Sequence, residues 1–146
     1  MKIFFLILAI SISVFSPSFV FASSFSSDVQ NHINAERRHA GLYPLQLDDY
    51  LVQAAEIRAT EIQTEFAHQR PDGREVKTVL ENRSYSWFGE NLAISETMDA
   101  KRIVRAWLQS LSHRANILGR HYMTMGVACQ QNIDDGHYYW VLILAG

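Results

Sequence analysis

Cys129 is the single cysteine in 146 residues, and it sits in a chain whose N-terminus reads as an export signal. No intramolecular disulfide can form, so a small exported domain of this kind has to rest on its hydrophobic core. Three Trp, six Tyr and eight Phe supply large apolar side chains for one. The export reading comes from the first residues. Lys2 gives a short positive region, Ile3 to Phe15 is apolar and uncharged, and Pro17 breaks the run. Val20-Phe21-Ala22 then offers the permissive residues that a signal peptidase reads. The expectation is a cleaved signal peptide over residues 1–22 and one domain over 23–146. The alternative is an N-terminal membrane anchor with an outward-facing domain, since Ile3 to Ala22 can just span ~30 Å of hydrocarbon. Four serines and a proline between residues 11 and 18 count against that. No cysteine follows the apolar run, which excludes a lipoprotein anchor. The formal charge of −2 shows no basic excess, so nucleic acid is not an expected partner.

The organisation is helices first and a hairpin last. A helix is expected over 28–40, with Val29, Ile33 and Arg37 at four-residue steps and Gly41 closing it. Tyr43-Pro44 is a connector. Asp48 or Asp49 caps the next helix, about 49–66. There Leu51, Ala54, Ala55, Arg58, Ala59, Ile62 and Phe66 trace one face at 3.6 spacing, and the alanines indicate close packing. The stretch from His68 to Gly73 is a turn, followed by a short helix around Val76–Leu80. Tyr85, Trp87 and Phe88 are core-type aromatics ahead of a strand at Gly89–Ala93, with a ligand groove as the alternative. Thr97 or Ser95 caps a third helix, about 98–110, with Ala100, Ile103, Val104, Trp107 and Leu111 apolar. Ser112 caps a short helix from His113 to Leu118 that Gly119 closes. Strands at Met125–Gln130 and Tyr138–Leu144 flank the hairpin signal Asp135-Gly136. The order indicates α+β layers.

Neither H-E-x-x-H nor G-x-S-x-G occurs, and there is no cysteine set for zinc. Any site has to be assembled from separate segments. His68, Glu90 and His113 each stand at the end of an element beside turn residues, where functional groups gather. Each also has a plain structural reading: a helix-end partner for carbonyls, an exposed strand charge, a first-turn filler.

In order, five pieces of the chain carry a resemblance. They are Asn34-Ala35-Glu36-Arg37-Arg38 with Gly41-Leu42 and Pro44-Leu45; Ala54 to Ala59; Phe66 to Gly73 (F-A-H-Q-R-P-D-G); Gly89-Glu90-Asn91-Leu92-Ala93; and Trp107-x-x-Ser110-x-x-His113-Arg114-Ala115-Asn116-Ile117-Leu118. Gly126-Val127-Ala128 and Tyr139-Trp140-Val141 close the series. The chain resembles the CAP superfamily of SCP-like domains, which includes cysteine-rich secretory proteins, venom antigens and plant pathogenesis-related proteins. The match is closest to its bacterial secreted branch. The resemblance implies a three-layer α-β-α sandwich with a central, mostly antiparallel sheet. It also implies a cleft in which His68, Glu90 and His113 converge. Ser110 stands where the eukaryotic pattern has a second glutamate, so the site is His-Glu-His with a serine.

Two neutral imidazoles can hold a divalent ion, zinc above all, with Glu90 orienting one of them. Two protein ligands are fewer than a normal catalytic zinc site has, so modest and pH-sensitive affinity is expected. The first function expected is a secreted, monomeric, non-catalytic binding module for an extracellular lipid, peptide or cell-surface partner. The alternative is a metal- or His/Glu-assisted extracellular hydrolase or protease, with His68, Glu90, His113 and Ser110 as its candidate catalytic residues. Ser112 reads first as a helix cap. Cys129, in an apolar run, reads as a small hydrophobe. Arg37-Arg38 reads as a solvated helix face. His32, His39, His121 and His137 match no site of the family. Arg70, Asp72 and Gly73 read as the turn that aims His68, and Asn91, Asn116 and Arg114 as hydrogen-bonding partners of the cleft loops.

Overall fold

A computed structural model describes residues 17–146, with side chains from residue 25 onward. Most of the expected signal segment, residues 1–16, lies outside the described residues. The elements run α1 (Pro17–His39), β1 (Gln46–Leu47), α2 (Asp49–Thr64), a 3-10 turn at Val76–Leu80, β2 (Phe88–Ser95), α3 (Ala100–Gln109), α4 (Leu111–Ile117), β3 (Thr124–Gln131) and β4 (Tyr138–Ala145). No helix among the described residues is long and apolar enough to cross a membrane.

Helix α1 begins at Pro17, not at residue 28. The serine-rich stretch is helical because tertiary contacts hold it. Phe25 packs edge-on against Trp140, and Ser26 donates to the Val127 carbonyl, which outweighs the weak helix preference of serine. Helix α2 starts as its sequence requires: Asp48 is the N-cap and accepts from the Tyr50 and Leu51 amides. It stops at Thr64, so Phe66 falls beyond it and is exposed, not part of the apolar face. Asp99, rather than Thr97 or Ser95, caps α3 through a bond from the Arg102 amide. Ser110 both ends α3 and precedes α4. Ser112 lies inside α4 and is not its cap.

The sheet has the order β1-β3-β4-β2. The pairs β3–β4 and β4–β2 are antiparallel, and the two-residue β1 runs parallel to β3. β1 carries no signal in the sequence, and it makes a mostly antiparallel sheet a mixed one. One face is covered by α1, α3 and α4 over Val29, Ile33, Trp107, Met125, Trp140 and Leu142. The other is covered by α2 and the 3-10 turn over Leu51, Ala55, Ala59, Ala128, Val141 and Ile143. The result is the expected α-β-α arrangement of layers.

β2 is an edge strand. Trp87 and Gly146 exchange both backbone bonds, so the carbonyls of Phe88, Glu90 and Leu92 point away from β4. They accept from the Tyr122 hydroxyl (3.1 Å), Asn116 Nδ2 (3.3 Å) and Trp107 Nε1 (3.2 Å).

Arg37 is a correction. It is buried, not solvated, and its guanidinium donates to the carbonyls of Tyr43, Ile117, Gly119 and Tyr122. Ile33, one turn earlier on the same face, is buried as well. Arg38 is exposed. Trp87 is a second correction: it is half exposed and stacks on His121 with ring centroids 4.1 Å apart.

Candidate functional site

Alternation along β2 sends the Glu90 side chain to the α2 face of the sheet. There it is buried, with side-chain exposure of 2%. Arg58, fully buried on α2, donates from Nε to Glu90 Oε2 at 2.8 Å and from Nη2 to Oε1 at 3.4 Å. The segment after α2 brings His68 back over this pair, and its Nδ1 lies 2.8 Å from Glu90 Oε1. The His68 side chain is nonetheless 62% exposed.

The segment is fixed by a second pair. Arg70 grips Glu61 through Nε (2.9 Å) and Nη2 (2.6 Å), and Glu61 also accepts from Arg58 at 2.7 Å. Burial raises the Glu61 carboxyl, but Arg70 and Arg58 more than reverse this and hold it below the usual carboxylate range. The Gly73 amide donates to the Arg70 carbonyl, and Gly73 has φ +83°, a conformation that favours glycine. The turn read at Arg70-Asp72-Gly73 is thus anchored to α2, two residues after His68.

His113 lies in the first half of α4, beside the outer edge of β2. Asn91 Nδ2 donates to the His113 carbonyl at 3.0 Å, and Asn116 Nδ2 donates to Asn91 Oδ1 at 2.8 Å. Both asparagines thus tie α4 to the strand that carries Glu90, as expected. Arg114 is exposed and takes no such part. Burial, and then the nearby His68, push the His113 imidazole below its ordinary pKa. Ser110 is not joined to either histidine; its hydroxyl pairs with that of Ser112 at 3.2 Å.

A cavity of about 390 Å³ opens beside His68, lined by Gln69, Glu75, Val76, Lys77 and Phe88. Among the described residues, no three His, Cys, Asp or Glu side chains are grouped to hold a metal ion. The donor set fits a metal only through its two imidazoles, because both Glu90 oxygens are already engaged. Cys129 is half-buried, and burial pushes its thiol up to about 12, so it is not a reactive nucleophile.

Arg58 is the site residue that sequence reasoning missed. It was visible as a member of the α2 apolar stripe. A charged residue in the middle of such a stripe needs buried polar partners, and for Arg58 these are Glu90 and Glu61.

The model of the cysteine-rich secretory protein family, CAP, matches residues 30–144. The uncharacterized protein YkwD of Bacillus subtilis (strain 168) is 33% identical over 109 residues, covering 72% of this chain and 42% of YkwD. The chain therefore spans less than half the length of that curated relative. An extracellular SCP-domain protein of Bacillus anthracis superposes with a TM-score of 0.77 at 18% identity, over 92% of this chain and 45% of that one. An outer surface protein of Borrelia burgdorferi gives 0.72 at 20% identity, over 82% of this chain and 90% of that one. Both structural neighbours are described as extracellular or surface proteins. With the family motifs in order along the fold, the chain belongs to the CAP family, with bacterial relatives.

Proposed function

We propose that the protein is a secreted, monomeric, non-catalytic binding module. Its ligand is an extracellular lipid, peptide or cell-surface partner, received beside β2 at a cleft to which His68 and His113 would both contribute. One observation carries this reading. The carboxylate at the centre of the site is buried and holds Arg58 and His68 at 2.8 Å each. A carboxylate so engaged fixes the shape of the site and the orientation of His68. Ser110, the side-chain nucleophile of the hydrolase alternative, pairs its hydroxyl with Ser112 and with neither histidine. The cavity wall of Val76 and Phe88 beside His68 suits an apolar group next to a polar anchor.

A divalent ion such as Zn²⁺ would be held by His68 Nε2 and a ring nitrogen of His113, with solvent completing its shell. With two protein ligands, that binding is weak and weakens further as acid protonates the imidazoles. The decisive experiment is mass spectrometry of lipids and peptides that co-purify with protein taken from culture medium, run in parallel on a His68→Ala, His113→Ala double variant. Ligand retained by the wild type and lost from the variant supports the reading. Hydrolysis of a peptide or ester panel by the wild type alone overturns it. N-terminal sequencing of the same secreted material tests cleavage after Ala22 against an uncleaved anchor.

A further inference from the structure

We infer that Arg58 is the positioning residue of this site. Through Glu90 it fixes which nitrogen of His68 faces the cleft. It thereby restricts that position to ligands that accept an electron pair or donate a hydrogen bond. The inference rests on reading the His68–His113 cleft as the binding site and adds what kind of group can bind there.

The argument starts from the guanidinium. All three of its nitrogens are occupied: Nε on Glu90, Nη1 on Glu61 at 2.7 Å, and Nη2 on the Ala67 carbonyl at 2.7 Å and on Glu90 Oε1 at 3.4 Å. Arg58 thus holds the Glu90 carboxylate and, at once, the backbone one residue before His68. A carboxylate clamped by a guanidinium presents only lone pairs. The contact at 2.8 Å with His68 Nδ1 therefore requires the proton on Nδ1. A neutral imidazole carries one N–H, so Nε2 is left with a lone pair. Nε2 lies across the ring from Nδ1; the side chain is 62% exposed, and His68 lines the cavity of about 390 Å³. A lone pair in that place meets a divalent cation, or an N–H or O–H donor, and repels a carboxylate or phosphate oxygen. Lysine cannot substitute for the planar fork, because one ammonium cannot reach two carboxylates and a carbonyl with the same geometry.

The test is nitrogen NMR of the neutral His68 ring in the full chain. The wild type is expected to show a pyrrole-type Nδ1 and a pyridine-type Nε2. In Arg58→Lys, the ratio of Nδ1–H to Nε2–H tautomer is expected to fall at least tenfold, toward the Nε2–H form that free histidine favours. Glu61→Gln leaves the Arg58–Glu90 contact in place and is expected to keep the wild-type tautomer. If Arg58→Lys does not fold, Glu90→Gln, whose amide can offer either a donor or an acceptor, supplies the same loss of bias. A proton on Nε2 in the wild type overturns the proposal without any variant, and so does an unchanged tautomer in a folded Arg58→Lys. Calorimetry with Zn²⁺ alone separates this from the function itself. Zn²⁺ affinity is expected to fall ~10-fold or more in Arg58→Lys. Equal Zn²⁺ binding by wild type and His68→Ala, with the tautomer as stated, sinks the zinc part of the binding reading and leaves the positioning role standing.

Discussion

The two faces of the sheet are packed in different ways, and each encloses one buried arginine. On the α2 face the contacts are between small groups. Ala54, Ala55 and Ala59 meet Ala128 and Ala145, and a Cβ added at Gly126 would lie 2.1 Å from the backbone of Leu51. On the opposite face Trp107, Trp140, Ile33 and Met125 fill a thicker layer. Arg58, on the first face, is met by carboxylates; Arg37, on the second, is met by carbonyl oxygens alone. Their acidities diverge accordingly. Burial pushes both down, but Glu90 and Glu61 more than reverse this for Arg58 and raise it, whereas Arg37 stays lowered. The same side chain is therefore held by ion pairs at the candidate site on one face and by a backbone junction on the other.

The contrast can be broken most sharply at Arg58. Arg58→Met leaves Glu90 buried without its counter-charge and is expected to cost about 3–5 kcal/mol in denaturant unfolding. Adding Glu90→Leu should recover a large part of that. A double variant no more stable than the single one would mean that pairing is not what holds Arg58. Arg37→Met removes donors from four carbonyls and is expected to cost about 3 kcal/mol. Here no single second substitution should rescue, because no one residue is the partner. Gly126→Ala tests the close approach of α2 and is expected to cost about 2 kcal/mol by overpacking, with a lowered midpoint and an unchanged denaturant slope. The smallest effect belongs to His113. Its folded pKa is lowered, so acid protonates the unfolded chain more readily. The stability it contributes is complete above the ordinary histidine value, ~6.5, and is lost as pH falls through the lowered folded value. His113→Gln should flatten the pH dependence of the unfolding midpoint across that window.

Much of this was legible in the sequence because period and punctuation agreed. α2 carries a 3.6-residue stripe behind an aspartate cap, and the hairpin has its Asp-Gly signal and a dense apolar strand. His68 and Glu90 were legible as polar residues at element ends, and the structure joins them by a hydrogen bond. What was not legible depended on distant partners. β1 is two residues long and exists because Met123 and Met125 lie beside it. The extra turns of α1 depend on Trp140 and Val127. Arg37 was half legible: its four-residue step from Ile33 placed it on the buried face, while its charge argued for solvent. Charge gave way because four carbonyl oxygens at a chain junction offered what water would have.

The three outward carbonyls of β2 have a further consequence. A long, open sheet edge is a template on which another chain can add a strand, and exported proteins meet others while still folding. Here tyrosine, asparagine and tryptophan side chains occupy three alternate rungs of that template. The edge beside His113 can thus carry a recognition surface without inviting the chains to polymerise through it.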